Sequence, residues 1–231
     1  VLVGRGELDV FAPAPVPEWV DPTDPRHEIT VDQMLRMATG LAWKEEYYAP
    51  DSDTVAMLNG VGAPDMAHYA ADKPLEVEPG TRVRYSTGTS NIVAGVIGRT
   101  VGTGDATERF VEESLLDPLG IDVADTRIGW DGAGQLVGGS IFDLTPRDFA
   151  KFGLLYARGG VWDGQQVVPE GWVDYARTPT PPPAGTPEYG AHWWTYDECE
   201  GGVRARGPGG GPPRAGPPPR APPPPADLPE R

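Results

Sequence analysis

The sequence is poor in basic residues, contains a single cysteine and lacks any long apolar run. Against 34 Asp and Glu it has 19 Lys and Arg, which gives a formal net charge of −15 at pH 7. This imbalance argues against nucleic acid or an anionic membrane surface as a partner, because both bind basic protein faces. Cys199 has no second cysteine with which to form an internal disulfide. No stretch approaches the ~20 apolar residues of a membrane-spanning helix, so the sequence predicts no membrane segment.

Length and composition favour a globular protein. The 231 residues, 39% of them hydrophobic, suffice for one sizeable core or two small ones. The three histidines, His27, His68 and His192, are far apart in the sequence and have no partner at metal-ligand spacing. The sequence therefore predicts neither a metal site nor a bound cofactor.

The C-terminal region differs in kind from the rest. Every residue over 204–226 is Arg, Ala, Gly or Pro, which leaves no large aliphatic side chain for a core and too much proline for helix or sheet. We predict a folded domain over 1–196 and a disordered tail over 197–231. Such a tail is what a GC-rich gene gives when it is read in the wrong frame. A genuine proline-rich linker or ligand is the alternative, although residues 217–225 lack a regular PxxP spacing.

Local signals in the first region predict helices separated by loops. Thr30 and Gln33 fit a capping box ahead of an apolar helix face. Thr145, followed by Pro146, opens another helix over 145–158. Spacing predicts further helices over 91–102 and 107–116, an extended segment over 75–85 and a hairpin over 161–168.

The most informative segment is 84–91, which reads Arg-Tyr-Ser-Thr-Gly-Thr-Ser-Asn and leads directly into an apolar stretch over 92–97. It resembles the second active-site motif, Tyr-x-Asn, of the serine β-lactamase and penicillin-binding-protein superfamily. The branch it resembles holds class C β-lactamases, esterases and 6-aminohexanoate-dimer hydrolases. The likeness covers about residues 1–196 and includes the segments 29–41, 138–141, 145–158 and 160–172, together with Trp43, Tyr47, Pro50 and Asp53.

This resemblance implies roles for four residues. Tyr85 would transfer protons to and from the substrate as a phenolate, because adjacent cations would lower its pKa from about 10. Thr87 stands where the family commonly has asparagine and could donate a hydrogen bond to the substrate. Trp43 and Tyr47 would line an acyl-binding pocket, or alternatively form a core or lid cluster. Without the resemblance, Tyr85 would read as an ordinary tyrosine packed beside a helix start.

Two of the family's motifs are missing from the sequence. None of the five serines, Ser52, Ser86, Ser90, Ser114 and Ser140, has lysine three residues on, so the nucleophile motif Ser-x-x-Lys is absent. The third motif, Lys/His-Thr-Gly or a variant, is absent as well, and the prolines around residues 205–210 exclude a central strand there. We therefore expect a fragment whose nucleophile precedes residue 1 and which is inactive alone.

The resemblance implies an α/β fold of the β-lactamase/transpeptidase type, mainly its helical subdomain with an incomplete antiparallel sheet. It also implies a serine hydrolase that cleaves a small-molecule amide, ester or lactam through an acyl-enzyme, without metal or nucleotide. Two alternatives remain at this point. The chain could be a non-catalytic, penicillin-recognition-like binding module, or the product of a decayed or misassembled gene that never accumulates folded.

Overall fold

The computed structural model describes residues 1–185 and 189–195. The predicted tail over 197–231, with Cys199 in it, lies outside these residues. Within the described part, seven α-helices follow one another along the chain: α1 (Val31–Leu35), α2 (Asp53–Asn59), α3 (Met66–Ala71), α4 (Thr87–Val101), α5 (Asp105–Val111), α6 (Pro146–Ala157) and α7 (Trp172–Arg177). A π-helical turn over Glu112–Leu116 continues α5, and short 3-10 turns cover Pro17–Trp19, Pro25–Glu28 and Val123–Asp125.

The strands are short and pair two by two. β1 (Arg127–Ile128) runs antiparallel to β2 (Phe142–Asp143), and β3 (Val161–Trp162) runs antiparallel to β4 (Gln165–Gln166). The second pair is the hairpin predicted over 161–168, and its turn residues Asp163 and Gly164 both have positive φ, as such a two-residue turn requires. The described residues form no larger sheet, which confirms the prediction of a helical region with an incomplete antiparallel sheet.

Capping residues set the starts of the helices. The Thr30 hydroxyl accepts a hydrogen bond from Gln33 N at 3.1 Å, and the Gln33 side chain accepts one from Thr30 N at 3.0 Å, so the predicted capping box is confirmed. Thr145 likewise caps α6 by accepting from the backbone N–H of Asp148 at 3.2 Å. The helix predicted over 91–102 in fact starts at Thr87, because Ser86 Oγ accepts from Thr89 N at 3.0 Å. The segment predicted as extended, 75–85, contributes one isolated bridge, between Leu75 and Leu41.

Two apolar clusters form the core. The first is centred on α1, α3 and α4 and includes Trp19, Ile29, Met34, Ile92 and Val96. The close approach of α3 and α4 depends on Gly95, where an added Cβ would lie 2.8 Å from the Ala67 methyl. The second cluster lies under α6 and α7 and is made of Leu116, Leu119, Ile121, Leu155, Val168 and Val173. None of the described helices is long and apolar enough to cross a membrane.

Candidate active site

The sequence motif over 84–91 forms the entrance to α4, the longest described helix. Tyr85 precedes the cap residue Ser86, and Thr87 is the first helical residue. The backbone N–H of Arg84 donates to the Met37 carbonyl at 2.8 Å, which fixes this segment to the turn after α1. The Arg84 guanidinium pairs with Glu76, with Nη2 and Oε1 3.0 Å apart. Arg84, directly before Tyr85, is thereby held through both its backbone and its side chain.

Glu45 joins the aromatic loop after α1 to the start of α4. Its carboxylate accepts hydrogen bonds from Trp43 Nε1 at 2.5 Å, Tyr47 OH at 2.8 Å and Thr54 Oγ1 at 2.9 Å. It also accepts from the Thr87 backbone N–H at 2.9 Å and from the Thr87 hydroxyl. A carboxylate at the first turn of a helix is favoured by the free N–H groups there and by the helix dipole. Sequence reasoning missed Glu45, whose only signal was its position between Trp43 and Tyr47.

Three of the predicted site residues therefore lie together, with their polar atoms directed at Glu45. Trp43 and Thr87 are buried, with 7% and 0% exposure. Tyr47 is partly exposed and lies beside them through the same carboxylate. The interpretation of Trp43, Tyr47 and Thr87 as substrate-binding residues stays a prediction, and the core-like alternative for Trp43 accounts for its burial.

Gly88 makes the contact between the Trp43 ring and α4 possible. A Cβ added at Gly88 would lie 2.5 Å from Trp43 Cζ3, well inside van der Waals contact. We expect Gly88→Ala to lower the free energy of unfolding by about 1–2 kcal/mol, because either the ring or the helix must move. Gly153→Ala in α6 is the matched control, since its added Cβ meets nothing within 4 Å. Urea unfolding should show the control unchanged or stabilised by up to ~1 kcal/mol, and equal losses in both variants would contradict the contact.

The environment of Tyr85 is aromatic and carries negative charge. Its ring stacks on Trp194, with centroids 5.8 Å apart, and meets Tyr189 edge to face at 6.3 Å. Burial, followed by the charges of Glu45 and Tyr47, raises the pKa of Tyr85 well above its usual value. Among the described residues, the charges that act on this pKa are those of Glu45 and Tyr47, and both raise it. The lowering by adjacent cations that the resemblance implies stays a prediction. Tyr85 is a neutral phenol here.

A cavity of about 470 Å³ opens beside Tyr85. Its walls come from the turn after α1, from Ser90 in α4, from the loop that enters β2 and from the segment 189–192, and its lining residues include Met37, Tyr85, Ser90, Gly138, Gly139, Ser140, Ile141, Phe142, Phe149, Tyr189 and His192. Tyr85 is the only one of the four predicted site residues in this lining.

Asn91 attaches the glycine loop of this cavity to α4. Asn91 Nδ2 donates to the Thr87 carbonyl at 2.9 Å, and Asn91 Oδ1 accepts from the Gly138 backbone N–H at 3.1 Å. Gly139 lies so close that an added Cβ would be 2.4 Å from Thr87 Cγ2. The side chain of Asn91 is fully buried. It stands at the end of the sequence motif, but sequence reasoning gave it no role.

His192 lines the same cavity and has an unusual backbone conformation. Its φ is 59°, and its N–H donates to the Leu35 carbonyl at 2.7 Å. Burial lowers the pKa of the imidazole to about 4, so the ring is neutral at pH 7. Among the described residues, no group of three or more His, Cys, Asp and Glu side chains is placed to hold a metal ion.

Comparison with known proteins identifies the family and the fold. The sequence model of the β-lactamase family matches residues 1–216. No curated protein sequence matches the chain. Similar solved structures include a candidate 6-aminohexanoate-dimer hydrolase from Bacillus anthracis, with a TM-score of 0.62 at 18% identity over 85% of this chain and 55% of that one. A candidate β-lactamase from Bacteroides dorei has a TM-score of 0.63 at 19% identity over 84% of this chain and 60% of that one.

A third similar structure is a D-stereospecific amidohydrolase from a Streptomyces species, with a TM-score of 0.53 at 18% identity over 82% of this chain and 64% of that one. The chain thus spans less than two thirds of the length of each of these three proteins. At such low identity the structural likeness establishes the fold alone, which is the predicted β-lactamase/transpeptidase type. The match of the family model over most of the sequence establishes more: the chain belongs to the β-lactamase family.

Proposed function

We propose that this chain carries part of the active site of a serine hydrolase that cleaves amide, ester or lactam bonds through an acyl-enzyme. The observation that supports this most is the placement of Tyr85. It lies one residue before the cap of α4 and lines the same cavity as the glycine loop 138–140. A tyrosine at the edge of an open cavity, with its backbone fixed on both sides, can reach a bound substrate without a change of fold.

The protonation state of Tyr85 suggests its direction of proton transfer. Because burial and Glu45 raise its pKa, the phenol holds its proton at neutral pH. We propose that it acts first as a general acid, donating this proton to the leaving group as the substrate bond breaks. It would recover a proton from the water that opens the acyl-enzyme. The Ser-x-x-Lys nucleophile this scheme needs is not encoded among the five serines of the sequence.

A fluorophosphonate probe tests the proposal. We expect the purified 231-residue chain to remain unlabelled, because none of its serines has the lysine that would activate it. If the coding sequence upstream of Val1 encodes Ser-x-x-Lys, a longer product that includes it should be labelled at that serine. The measurement is intact-mass spectrometry, with a known serine hydrolase as the positive control and heat-denatured protein as the negative one. Labelling of the 231-residue chain at one serine would contradict the inactivity, and failure of the longer product to react would contradict the enzyme.

A non-catalytic binding module is the second candidate, and one observation favours it. Thr87 stands where the family commonly has asparagine, and its hydroxyl donates a hydrogen bond to Glu45. The Thr87 side chain therefore offers no free donor to a substrate. The coding sequence upstream of Val1 separates the two candidates. A Ser-x-x-Lys codon set there supports the enzyme, and its replacement by other residues supports the binding module.

A further inference from the structure

The cavity beside Tyr85 is bordered by two polar side chains that lack hydrogen-bond partners. Ser140 Oγ and His192 Nε2 are both buried, and neither has a partner in the described structure. Both residues belong to the lining of the cavity. A buried polar atom without a partner costs about 1–3 kcal/mol. A ligand that formed a hydrogen bond with each atom would remove this cost of the unliganded protein, which favours binding.

Backbone strain is concentrated around the same cavity. Four described residues other than glycine have positive φ, and three of them, Met37, Ile141 and His192, line this cavity. The fourth, Asp163, is explained by the tight turn of the β3–β4 hairpin. For a β-branched residue such as Ile141, at φ 56°, this conformation is costly. Strained residues cluster at ligand sites, because the strain there holds groups in place for binding.

The charges around the cavity favour an uncharged ligand group. Neither Lys nor Arg is among the described residues that line it, so a carboxylate would find no cation. The one lining acid, Asp143, is exposed and already pairs with Arg127, with Nε and Oδ2 2.6 Å apart. Ser140 contributes a hydroxyl, and His192 a neutral imidazole. Both groups can donate or accept, which matches a ligand that presents both a donor and an acceptor.

We propose that Ser140 and His192 form a subsite that binds an uncharged amide group, with the apolar body of the ligand against Phe142, Phe149 and Tyr189. An amide offers an N–H and a carbonyl together, whereas an ester offers acceptors alone and a carboxylate brings an unpaired charge. The inference rests on the proposed function. It narrows the substrate class from amides, esters and lactams in general to ligands that carry an uncharged amide.

Three probes that share a benzoyl group test the subsite: benzamide, methyl benzoate and benzoate. Each is titrated into the full 231-residue chain, and dissociation constants are obtained from NMR shifts. We expect benzamide to bind at least about tenfold more tightly than benzoate, and also more tightly than methyl benzoate. The variants Ser140→Ala and His192→Asn should each weaken benzamide binding by roughly five- to tenfold, the usual value of one hydrogen bond. Asn is chosen at 192 because it tolerates positive φ.

Two surface substitutions serve as controls. Ser114→Ala changes an exposed hydroxyl near Arg5, and His68→Asn changes an imidazole whose side chain is 60% exposed. Both should leave benzamide binding unchanged, and thermal unfolding confirms that each variant folds. Absence of benzamide binding, equal binding of benzamide and benzoate, or variants that bind like the parent would each overturn the subsite. None of these measurements needs an acyl-enzyme, so a failed subsite is distinguishable from a failed fluorophosphonate reaction.

Discussion

Glu45→Gln is expected to lower the free energy of unfolding by about 2–3 kcal/mol, since hydrogen bonds to a charged group are worth about 1.5–3 kcal/mol each and the variant cannot keep them all. The carboxylate of Glu45 accepts from Trp43, Tyr47, Thr54 and twice from Thr87. Glutamine keeps one carbonyl oxygen and turns an NH2 group toward groups that are themselves donors. Because Thr87 is fully buried, its N–H or hydroxyl would then lose its partner away from water. Urea unfolding followed by tryptophan fluorescence measures the loss.

The neighbouring residue supplies a matched control. Glu46→Gln makes the same chemical change one position further on, where the side chain is 63% exposed and lies 4.0 Å from Lys44 Nζ. An exposed ion pair at this distance contributes little, so we expect a change of about 0.5 kcal/mol or less. A similar loss from both substitutions would show that negative charge in this loop matters in general. The specific role of Glu45 at the start of α4 would then be contradicted.

The pair Glu45 and Glu46 also shows where sequence reasoning stops. The two residues are adjacent, chemically identical and embedded in the same aromatic and acidic segment. Only the fold places one carboxylate under the first turn of α4 and leaves the other in solvent. The surroundings of Tyr85 show the same limit. Its pKa depends on burial and on which charges the fold brings close, and one of those charges is Glu45.

Features determined by neighbours in the chain were predictable. The capping box of Thr30 and Gln33 and the turn at Asp163 and Gly164 involve residues at most three positions apart, and both are confirmed. The start of α4 was harder, because Ser86, Thr89 and Ser90 are all possible caps. The structure uses Ser86, and Trp43 packs on the surface that Gly88 leaves open. Local propensity does not decide which of the three residues caps α4. In the structure, the use of Ser86 goes together with the contact from Trp43, which lies in a loop distant in sequence.

The fold class was predictable because the family resemblance that implies it extends over about residues 1–196. The short strands β1 and β2 could not be predicted, since a strand of two residues shows no alternation of apolar and polar positions. Their pairing decides where the loop 138–141 runs, and thus where Ser140 lies. The cavity beside Tyr85 therefore could not be read from the sequence, although Tyr85 itself was found there.

As the pH falls from 6.5 to 4, the parent protein should lose more stability than His192→Asn. Burial lowers the pKa of His192 in the folded protein to about 4, below the value of about 6.5 for an unperturbed histidine. Between these values the unfolded chain binds a proton that the folded chain does not. The free energy of unfolding therefore falls as the pH falls, and the gap corresponds to about 3 kcal/mol. Urea unfolding of both proteins at intervals of pH measures the difference.

His68 gives a control of opposite sign. Its hydrogen bond with the Glu18 carboxylate, with Nδ1 and Oε1 2.7 Å apart, raises its pKa above 6.5. The stability it contributes is complete below the unfolded pKa and is lost as the pH rises through the folded one. His68→Asn should therefore leave the acid-side loss of the parent in place. The parent and His192→Asn have the same carboxylates, so the difference between these two proteins isolates the contribution of His192.

The acid-side comparison bears on the cavity as well as on stability. If the parent and His192→Asn lose stability in parallel, the imidazole of His192 must reach a partner that stabilises its charged form. If that partner binds Nε2, the case for an amide subsite loses one of its two unpaired groups. If the parent alone shows the added loss, and benzamide extends this loss to lower pH, one neutral imidazole accounts for both effects. Binding that requires the neutral ring must weaken on protonation, because ligand affinity and proton affinity are linked through the same folded state.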